Sequence, residues 1–320
     1  MHPHLMDAMV RQPAFAGTLD RLPGPAGTLR IDNLPGSAPS LLVATLARQI
    51  PNRVWVVIAP SAPDAETVDA DIQAVLGSDV VALYPQRETL PYEAAEHHFE
   101  VSGLRVETLE GFLAGRARIV VTTARALQEL ADIPAGLADL RLTVAKGDRI
   151  RLADLAARLD GMGFERTGLV EAVGEYAVRG GILDLFGFGA PEPVRIEMWE
   201  DDILSIRQFD ILDQRSTGEL ERVDILPVDL AAHGDAATRD GPAGPRRSLL
   251  DLLTRDAIIV EMEPGAAQTE FARTWDQVLH LHDAERKRGG DPEPPERLFL
   301  EPETAAARVA SFGRIVVDEP

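Results

Sequence analysis

The first 135 residues alternate short apolar runs with segments that carry apolar residues at helical spacing. The apolar runs are residues 54–59, 80–84 and 119–123, and helical spacing occurs over residues 65–76 and 104–112. Strands that alternate with helices are typical of a parallel sheet covered by helices. The pattern therefore predicts a three-layer α/β domain.

The pattern changes after about residue 140. Helical spacing over residues 152–162 is followed by short strand-like runs closed by glycines, as expected of an antiparallel sheet with a helix on it. The runs are residues 176–179, 182–186, 194–199, 203–209 and 223–226. Gly180 and Gly181 lie between the first two runs, where a tight hairpin turn requires positive φ. This region is predicted to be an α+β domain.

Beyond residue 248 the α/β pattern resumes. Residues 231–247 are rich in Ala, Gly, Asp and Pro without periodicity, which predicts a linker or an exposed loop. A polar helix is predicted from residue 266 to about 288, and a closing strand over residues 315–317. The acidic, proline-rich residues 291–303 are predicted to be a solvated connecting segment.

Together these patterns predict one α/β domain interrupted by an insertion. The first part of the α/β domain would span residues 1–135 and its second part residues 229–320. Residues 136–228 would form the inserted α+β domain. An insertion is the simplest account, because the α/β pattern of the first part resumes after it.

Composition narrows the function classes. The formal net charge is −20, which disfavours autonomous binding to duplex DNA, because lysines and arginines supply most of that affinity. The absence of cysteine excludes a disulfide scaffold, a thiolate zinc site and a cysteine nucleophile. No apolar stretch is long enough to span a membrane and no signal peptide is evident, so we expect a cytoplasmic protein without a membrane partner.

Three segments carry a resemblance to the Mfd and UvrB families of nucleotide excision repair. The first is YPQRETLPY at residues 84–92. The second is GEYAVRGGILDLF at residues 174–186, which continues through residues 194–199 and 202–207 to residues 214–216. The third and weaker segment combines SLLDLL at residues 248–253 with IIVEMEP at residues 258–264. The resemblance implies a RecA/P-loop-like domain with an inserted domain that docks the repair protein UvrA.

The resemblance also implies that the nucleotide site is degenerate. UvrB-type proteins hold ATP phosphates with G-x-x-x-x-G-K-[ST]. The corresponding residues 34–42 keep Gly36, Ser37 and Ser40 but contain no lysine, and Pro39 stands where an amide donor is needed. Met262 replaces the first acid of the magnesium-binding element. We therefore expect no cofactor, no metal and no catalysis. The alternative is a nucleotide-dependent helicase-like ATPase of the UvrB type.

A second departure favours Mfd over UvrB. UvrB places a long aromatic hairpin after the position of Tyr92 to clamp damaged DNA, whereas residues 93–100 here run directly into a helical pattern. His97 and His98 beside Glu96 suggest a metal site, but adjacent residues on a helix diverge by about 100° and no third ligand is evident. In Mfd, RNA polymerase and DNA are contacted through further domains that this chain does not contain.

In the family, UvrA docking uses charged residues of the inserted domain. The matching positions are Arg166, Arg179, Arg195 and Glu197, while Ala177 replaces an arginine found in UvrB relatives. Arg195 and Glu197 lie two apart on a predicted strand, so they project on one face. These residues alternatively form solvated charges or intradomain pairs worth about 0 to 1 kcal/mol each. A third possibility is a purely structural domain that folds against a motor.

Overall fold

A computed structural model describes residues 3–93, 99–133, 141–230 and 246–318. The α-helices are α1 (Pro3–Val10), α2 (Pro13–Asp20), α3 (Ala38–Gln49), α4 (Ala62–Leu76), α5 (Phe99–Leu113), α6 (Ala124–Gln128), α7 (Leu152–Gly161), α8 (Ala266–Lys287) and α9 (Pro302–Ala310). Among these described residues, no helix has the length and apolar character needed to cross a membrane.

The strands fall into three sheets. They are β1 (Thr28–Asp32), β2 (Trp55–Ala59), β3 (Val81–Tyr84), β4 (Ile119–Thr123), β5 (Leu142–Ala145), β6 (Glu165–Thr167), β7 (Glu175–Arg179), β8 (Ile182–Leu185), β9 (Val194–Trp199), β10 (Asp202–Phe209), β11 (Ser216–Leu220), β12 (Arg222–Ile225), β13 (Ile258–Glu261) and β14 (Gly313–Asp318). Two 3-10 helices, Leu249–Leu252 and Pro295–Arg297, also lie in the described chain.

The chain divides into two compact units. The first unit comprises residues 1–96, 111–131 and 246–320, and the second comprises residues 97–110 and 132–245. The predicted boundary at residues 135/136 lies outside the described residues. So do residues 231–245 of the predicted linker and the His97–His98 pair.

The first unit is built on a parallel sheet of six strands. Its strand order is β1-β14-β13-β2-β4-β3, and every neighbouring pair runs parallel. The central strands β2, β4 and β13 are buried along their whole length, because apolar runs without alternation bury both faces. Trp55 on β2 is fully buried. The predicted α/β class with a parallel sheet is confirmed.

Residues 291–303 do not form the solvated segment that the sequence predicts. Phe299 and Leu300 are buried, and Phe299 packs with Leu90 and Val278 on α8. Pro302 then begins α9, where a proline is tolerated because the first helical amide needs no partner. The burial of Phe299 and Leu300 therefore outweighs the acidic, proline-rich composition of this segment. The prediction of a solvated connecting segment was wrong.

The second unit contains a β-rich part separate from the parallel sheet, as predicted. Its main sheet has the order β11-β10-β9-β8-β7-β6 and is antiparallel except that β6 runs parallel to β7. β5 and β12 form a second, two-stranded sheet. Helix α7 contributes Leu155 and Leu159 to one core with Leu183 and Ile196. The periodic apolar face of α7 thus covers one side of the main sheet.

The hairpin between β7 and β8 needs its two glycines for different reasons. Gly180 has a φ of +62°, which an L-residue reaches only with strain. Gly181 does not have positive φ, contrary to the prediction. A Cβ at Gly181 would lie 2.6 Å from the carbonyl oxygen of Met198, so close approach of the β9 backbone excludes a side chain there.

Candidate partner-docking face

Strand pairing in the second unit places charged residues in two adjacent rows. One row holds Asp184, Arg195 and Arg207, and the next holds Arg179 and Glu197. Directly paired residues project to the same side of a sheet, and successive residues on a strand alternate. The core residues of these strands occupy the alternate positions, so both rows project from the side opposite the core. We call these five residues the charged face.

Asp184 is the centre of the charged face. Its side chain is only 1% exposed, and its two oxygens accept three hydrogen bonds from two arginines. Arg195 donates from Nε to Oδ1 at 2.7 Å and from Nη2 to Oδ2 at 2.9 Å. Arg179 donates from Nη2 to Oδ2 at 2.7 Å. These charge-assisted bonds explain how a carboxylate is held without solvent.

The two arginines that bond Asp184 differ in how firmly their side chains are held and in how exposed they are. Arg195 is 16% exposed, bonds the side chain of Gln214 through Nη2 at 3.1 Å, and places its guanidinium carbon 4.6 Å from the ring centre of Phe209. Its hydrogen bond to Asp184 raises the pKa of Arg195. The Arg179 side chain is 49% exposed. Arg195 is therefore fixed by its neighbours, whereas Arg179 still offers donors to solvent.

Glu197 is held more loosely. Ser205 donates its hydroxyl to Glu197 Oε2 at 2.8 Å, and Arg207 Nη2 lies 3.3 Å from the same oxygen. About a third of each charged side chain remains exposed. Ion pairs with this exposure contribute little to stability, because solvent screens them. Each of Arg179, Arg195 and Glu197 thus has a partner within its own unit and keeps some accessible surface.

Arg166 does not join the other three predicted residues. It lies on β6 and pairs in register with Tyr176, whose side chain belongs to the core. Burial and a hydrogen bond to Asp160 raise the pKa of Tyr176 to about 12, and the charge of Arg166 opposes that rise. Arg166 therefore lies on the same side of the sheet as Tyr176, opposite the charged face. The register between β6 and β7, which pairs Arg166 with Tyr176, places it there.

Sequence reasoning missed an aromatic residue beside the charged face. Trp199 is two residues beyond Glu197 at the end of β9, so it projects from the same side, and it is 69% exposed. Leu204 on β10 is also exposed, at an irregularity in the pairing with β9. The alternation of residues 195, 197 and 199 was visible in the sequence and is the pattern that could have identified Trp199.

The three predicted loop residues of the first unit meet at one cavity. Gly36, Ser37 and Ser40 lie where β1 leads into α3, and they line a cavity of about 600 Å³. Pro39 takes one of the first two positions of α3, and Met262, directly after β13, lines the same cavity. The remaining polar lining is mostly acidic and comprises Asp64, Thr67, Asp71, Glu263 and Asp318.

Residues 142–230 match the family model described as the UvrB interaction domain. The matched range contains the charged face, Trp199 and both sheets of the second unit. The second unit is therefore similar to this class of interaction domain.

The wider chain is similar to transcription-repair-coupling factors. It is 35% identical to that of Mycobacterium tuberculosis over 173 residues, which is 52% of this chain and 14% of the relative. It is 32% identical to those of Haemophilus influenzae and Escherichia coli over 173 residues, 54% of this chain and 15% of each relative. The resemblance to the N-terminal module of this family is confirmed. The match covers about one seventh of each relative's length.

Proposed function

We propose that the chain is a protein-interaction module that recruits UvrA in transcription-coupled nucleotide excision repair. The observation that carries the proposal is the charged face, which combines arginines and carboxylates in one preorganised patch within a domain similar to the UvrB interaction domain. Mixed-sign patches suit specific docking, because they fix orientation and reject wrong partners.

The residues of this face would contribute in different ways. Arg179 provides free guanidinium donors for a carboxylate on UvrA, since only one of its nitrogens bonds Asp184. Arg195 acts mainly by holding Asp184, which in turn orients Arg179. Trp199 provides exposed apolar area at the edge of the patch. Tryptophan and arginine are the residue types that most often dominate interface energetics.

The proposal includes no catalysis by this chain. The loop at Gly36, Ser37 and Ser40 has no lysine, and the cavity it lines is bordered by carboxylates. Phosphoryl transfer depends on positioning and on neutralising the charge of phosphate oxygens. Carboxylates without a phosphate-binding lysine work against both requirements, which disfavours the alternative of a UvrB-type ATPase.

Calorimetric titration of UvrA into the full chain tests the proposal. Arg179→Ala is expected to weaken binding about tenfold or more, as anchoring arginines at interfaces often do. Arg222→Ala is the matched control, since Arg222 is an exposed arginine of the same unit on β12, which pairs with β5 and not with the main sheet. We expect it to change the affinity less than twofold. Equal losses in both variants, or no binding by the folded wild type, would refute the recruiting role.

Arg166→Ala adds a geometric test. If docking is confined to the charged face, this variant binds UvrA like the wild type, because Arg166 projects from the opposite side of the sheet. A loss comparable with that of Arg179→Ala would show that the docking surface extends around the β6 edge.

A further inference from the structure

Arg207 on β10 is the charged-face arginine whose donors are used least. Within the described chain its side chain makes no hydrogen bond, and its one ion pair is the 3.3 Å approach of Nη2 to Glu197 Oε2. Arg195, by comparison, donates four hydrogen bonds, to Asp184 and Gln214. The Nε atom of Arg207 is buried and has no hydrogen-bond partner. Buried polar groups are nearly always hydrogen-bonded, so the second unit leaves this guanidinium incompletely satisfied.

The position of Arg207 in the sheet is unfavourable for stability. Arg207 lies directly opposite Arg195 across β9 and β10, and like charges that face each other across a sheet repel. Its neighbour on the other side is Glu219 on β11, which is exposed and forms no ion pair with Arg207. Placements that work against the stability of a fold are expected mainly at functional sites. Arg207 therefore fits an interaction outside the unit better than a role in folding.

The Arg207 side chain is both accessible and oriented. It is 35% exposed, and Glu197 holds its guanidinium from one side. Glu197 is itself fixed by the Ser205 hydroxyl, which donates to Oε2 at 2.8 Å. A guanidinium carries five N–H donors in a planar fork that matches a carboxylate. Arg207 is therefore preorganised to bind a carboxylate of a partner.

Arg207 and Arg179 lie at separate points of the charged face. Arg179 on β7 bonds Asp184, whereas Arg207 on β10 pairs with Glu197. β7 and β10 are three strands apart in the sheet, which is about 14 Å at the usual spacing of strands. Because the two arginines share no partner, each has donors for a carboxylate of its own.

We propose that Arg207 is a second docking arginine and that UvrA presents two carboxylates to the charged face, one to Arg179 and one to Arg207. The inference rests on the proposed recruiting function and adds the chemistry that the partner must offer. Arg195 is not a direct contact, because its donors are already occupied by Asp184 and Gln214.

The test is a calorimetric titration of UvrA into the full chain and its variants. Arg207→Gln keeps most of the side-chain stem, removes the charge and should weaken binding about fivefold. Combined with Arg179→Ala, it should give the product of the two single losses, about fiftyfold, because distant residues without a shared partner act independently. Arg222→Gln is the matched control, since it removes an exposed arginine of β12, and it should change the affinity less than twofold.

Two further measurements separate docking from folding and identify the second carboxylate. The urea unfolding midpoint of Arg207→Gln should equal that of the wild type, because Arg207 makes no hydrogen bond within the described chain. Among UvrA variants that each change one surface carboxylate to lysine, one should restore binding to Arg207→Glu but not to Arg179→Glu.

Three outcomes would overturn the proposal. If Arg207→Gln binds like Arg222→Gln while Arg179→Ala binds weakly, the second contact is refuted and the recruiting role stands. A lowered unfolding midpoint that accompanies the loss of affinity assigns Arg207 to folding. No binding by the folded wild type refutes the recruiting role together with this contact.

Discussion

Asp184 and Arg195 pair directly across β8 and β9 and are joined by two parallel hydrogen bonds of 2.7 and 2.9 Å. The carboxylate has almost no contact with solvent, so its stability depends on the arginine. The same carboxylate accepts from Arg179, which is far more exposed. Asp184 therefore stabilises the fold through its bonds with Arg195. It also holds Arg179, whose side chain is accessible to solvent.

This difference predicts different costs for two substitutions. Asp184→Asn leaves Arg195 without its charged partner in a mostly buried position and should destabilise the second unit by about 1 to 3 kcal/mol. Arg179→Ala should cost less than about 1 kcal/mol, because Arg179 is half exposed and Asp184 keeps both hydrogen bonds from Arg195. Hydrogen exchange of the β8 and β9 amides measures both. Equal costs would contradict the structural role given to Arg195.

Trp199 should be important for docking and unimportant for folding. Its ring is 69% exposed, so Trp199→Ala removes little buried area and should leave the unfolding transition unchanged. In the UvrA titration we expect a loss of affinity of about tenfold. Leu212→Ala is a suitable comparison, since Leu212 is the most exposed of the large apolar residues among those described. A similar loss in both variants would indicate non-specific apolar contact.

The β7–β8 turn predicts an order of severity for two glycine substitutions. Gly180→Ala places a Cβ at positive φ with open space around it, which should cost about 1 to 2 kcal/mol. Gly181→Ala should cost more, because the added atom meets the carbonyl oxygen of Met198 at 2.6 Å and forces β8 and β9 apart. Urea unfolding of both variants measures the difference. The reverse order would contradict the close approach.

Asp69 predicts a pH dependence of the first unit. Burial raises the pKa of Asp69 from 3.8 to about 6, against the hydrogen bond from Gln73, and its Oδ1 atom has no partner. The raised pKa means that the folded state favours the protonated form. The stabilisation associated with that proton is complete below about pH 4 and is lost as the pH rises through about 6.

Asp69→Asn should therefore stabilise the first unit at pH 7 by about 1 to 3 kcal/mol and flatten the pH dependence between pH 4 and 7. Hydrogen exchange of the β2 and β4 amides follows unfolding of this unit. Glu66→Gln on the exposed side of α4 should show neither effect. A destabilised Asp69→Asn would mean that the carboxylate has a compensating partner.

Strands were predicted best from the sequence where one buried face produces a clear alternation of apolar and polar residues. β9 has the predicted bounds, because Val194, Ile196 and Met198 alternate with polar residues. β1 and β11 were missed, since β1 has one buried residue and β11 has none. Both are edge strands that pair on one side only. Their position is fixed by backbone hydrogen bonds to β14 and β10, which leave little trace in a polarity pattern.

The charged face was predictable only in part. Two-residue spacing placed Arg195 and Glu197 on one side, and the structure agrees. The sequence could not place Arg166, because its side depends on the register between β6 and β7. It also could not identify Asp184 as the shared partner of two arginines, since that requires the register between three strands.

The strand order of the parallel sheet has a consequence for synthesis on the ribosome. β13 separates β2 from β14, and β14 separates β13 from β1, yet both β13 and β14 are made after residue 257. Every strand of the second unit is complete by residue 225. During translation the second unit can therefore reach its final fold while β1 has no neighbour and β2 is paired only with β4. Until the last strands emerge, the apolar edge of β2 must be kept from pairing with other nascent chains.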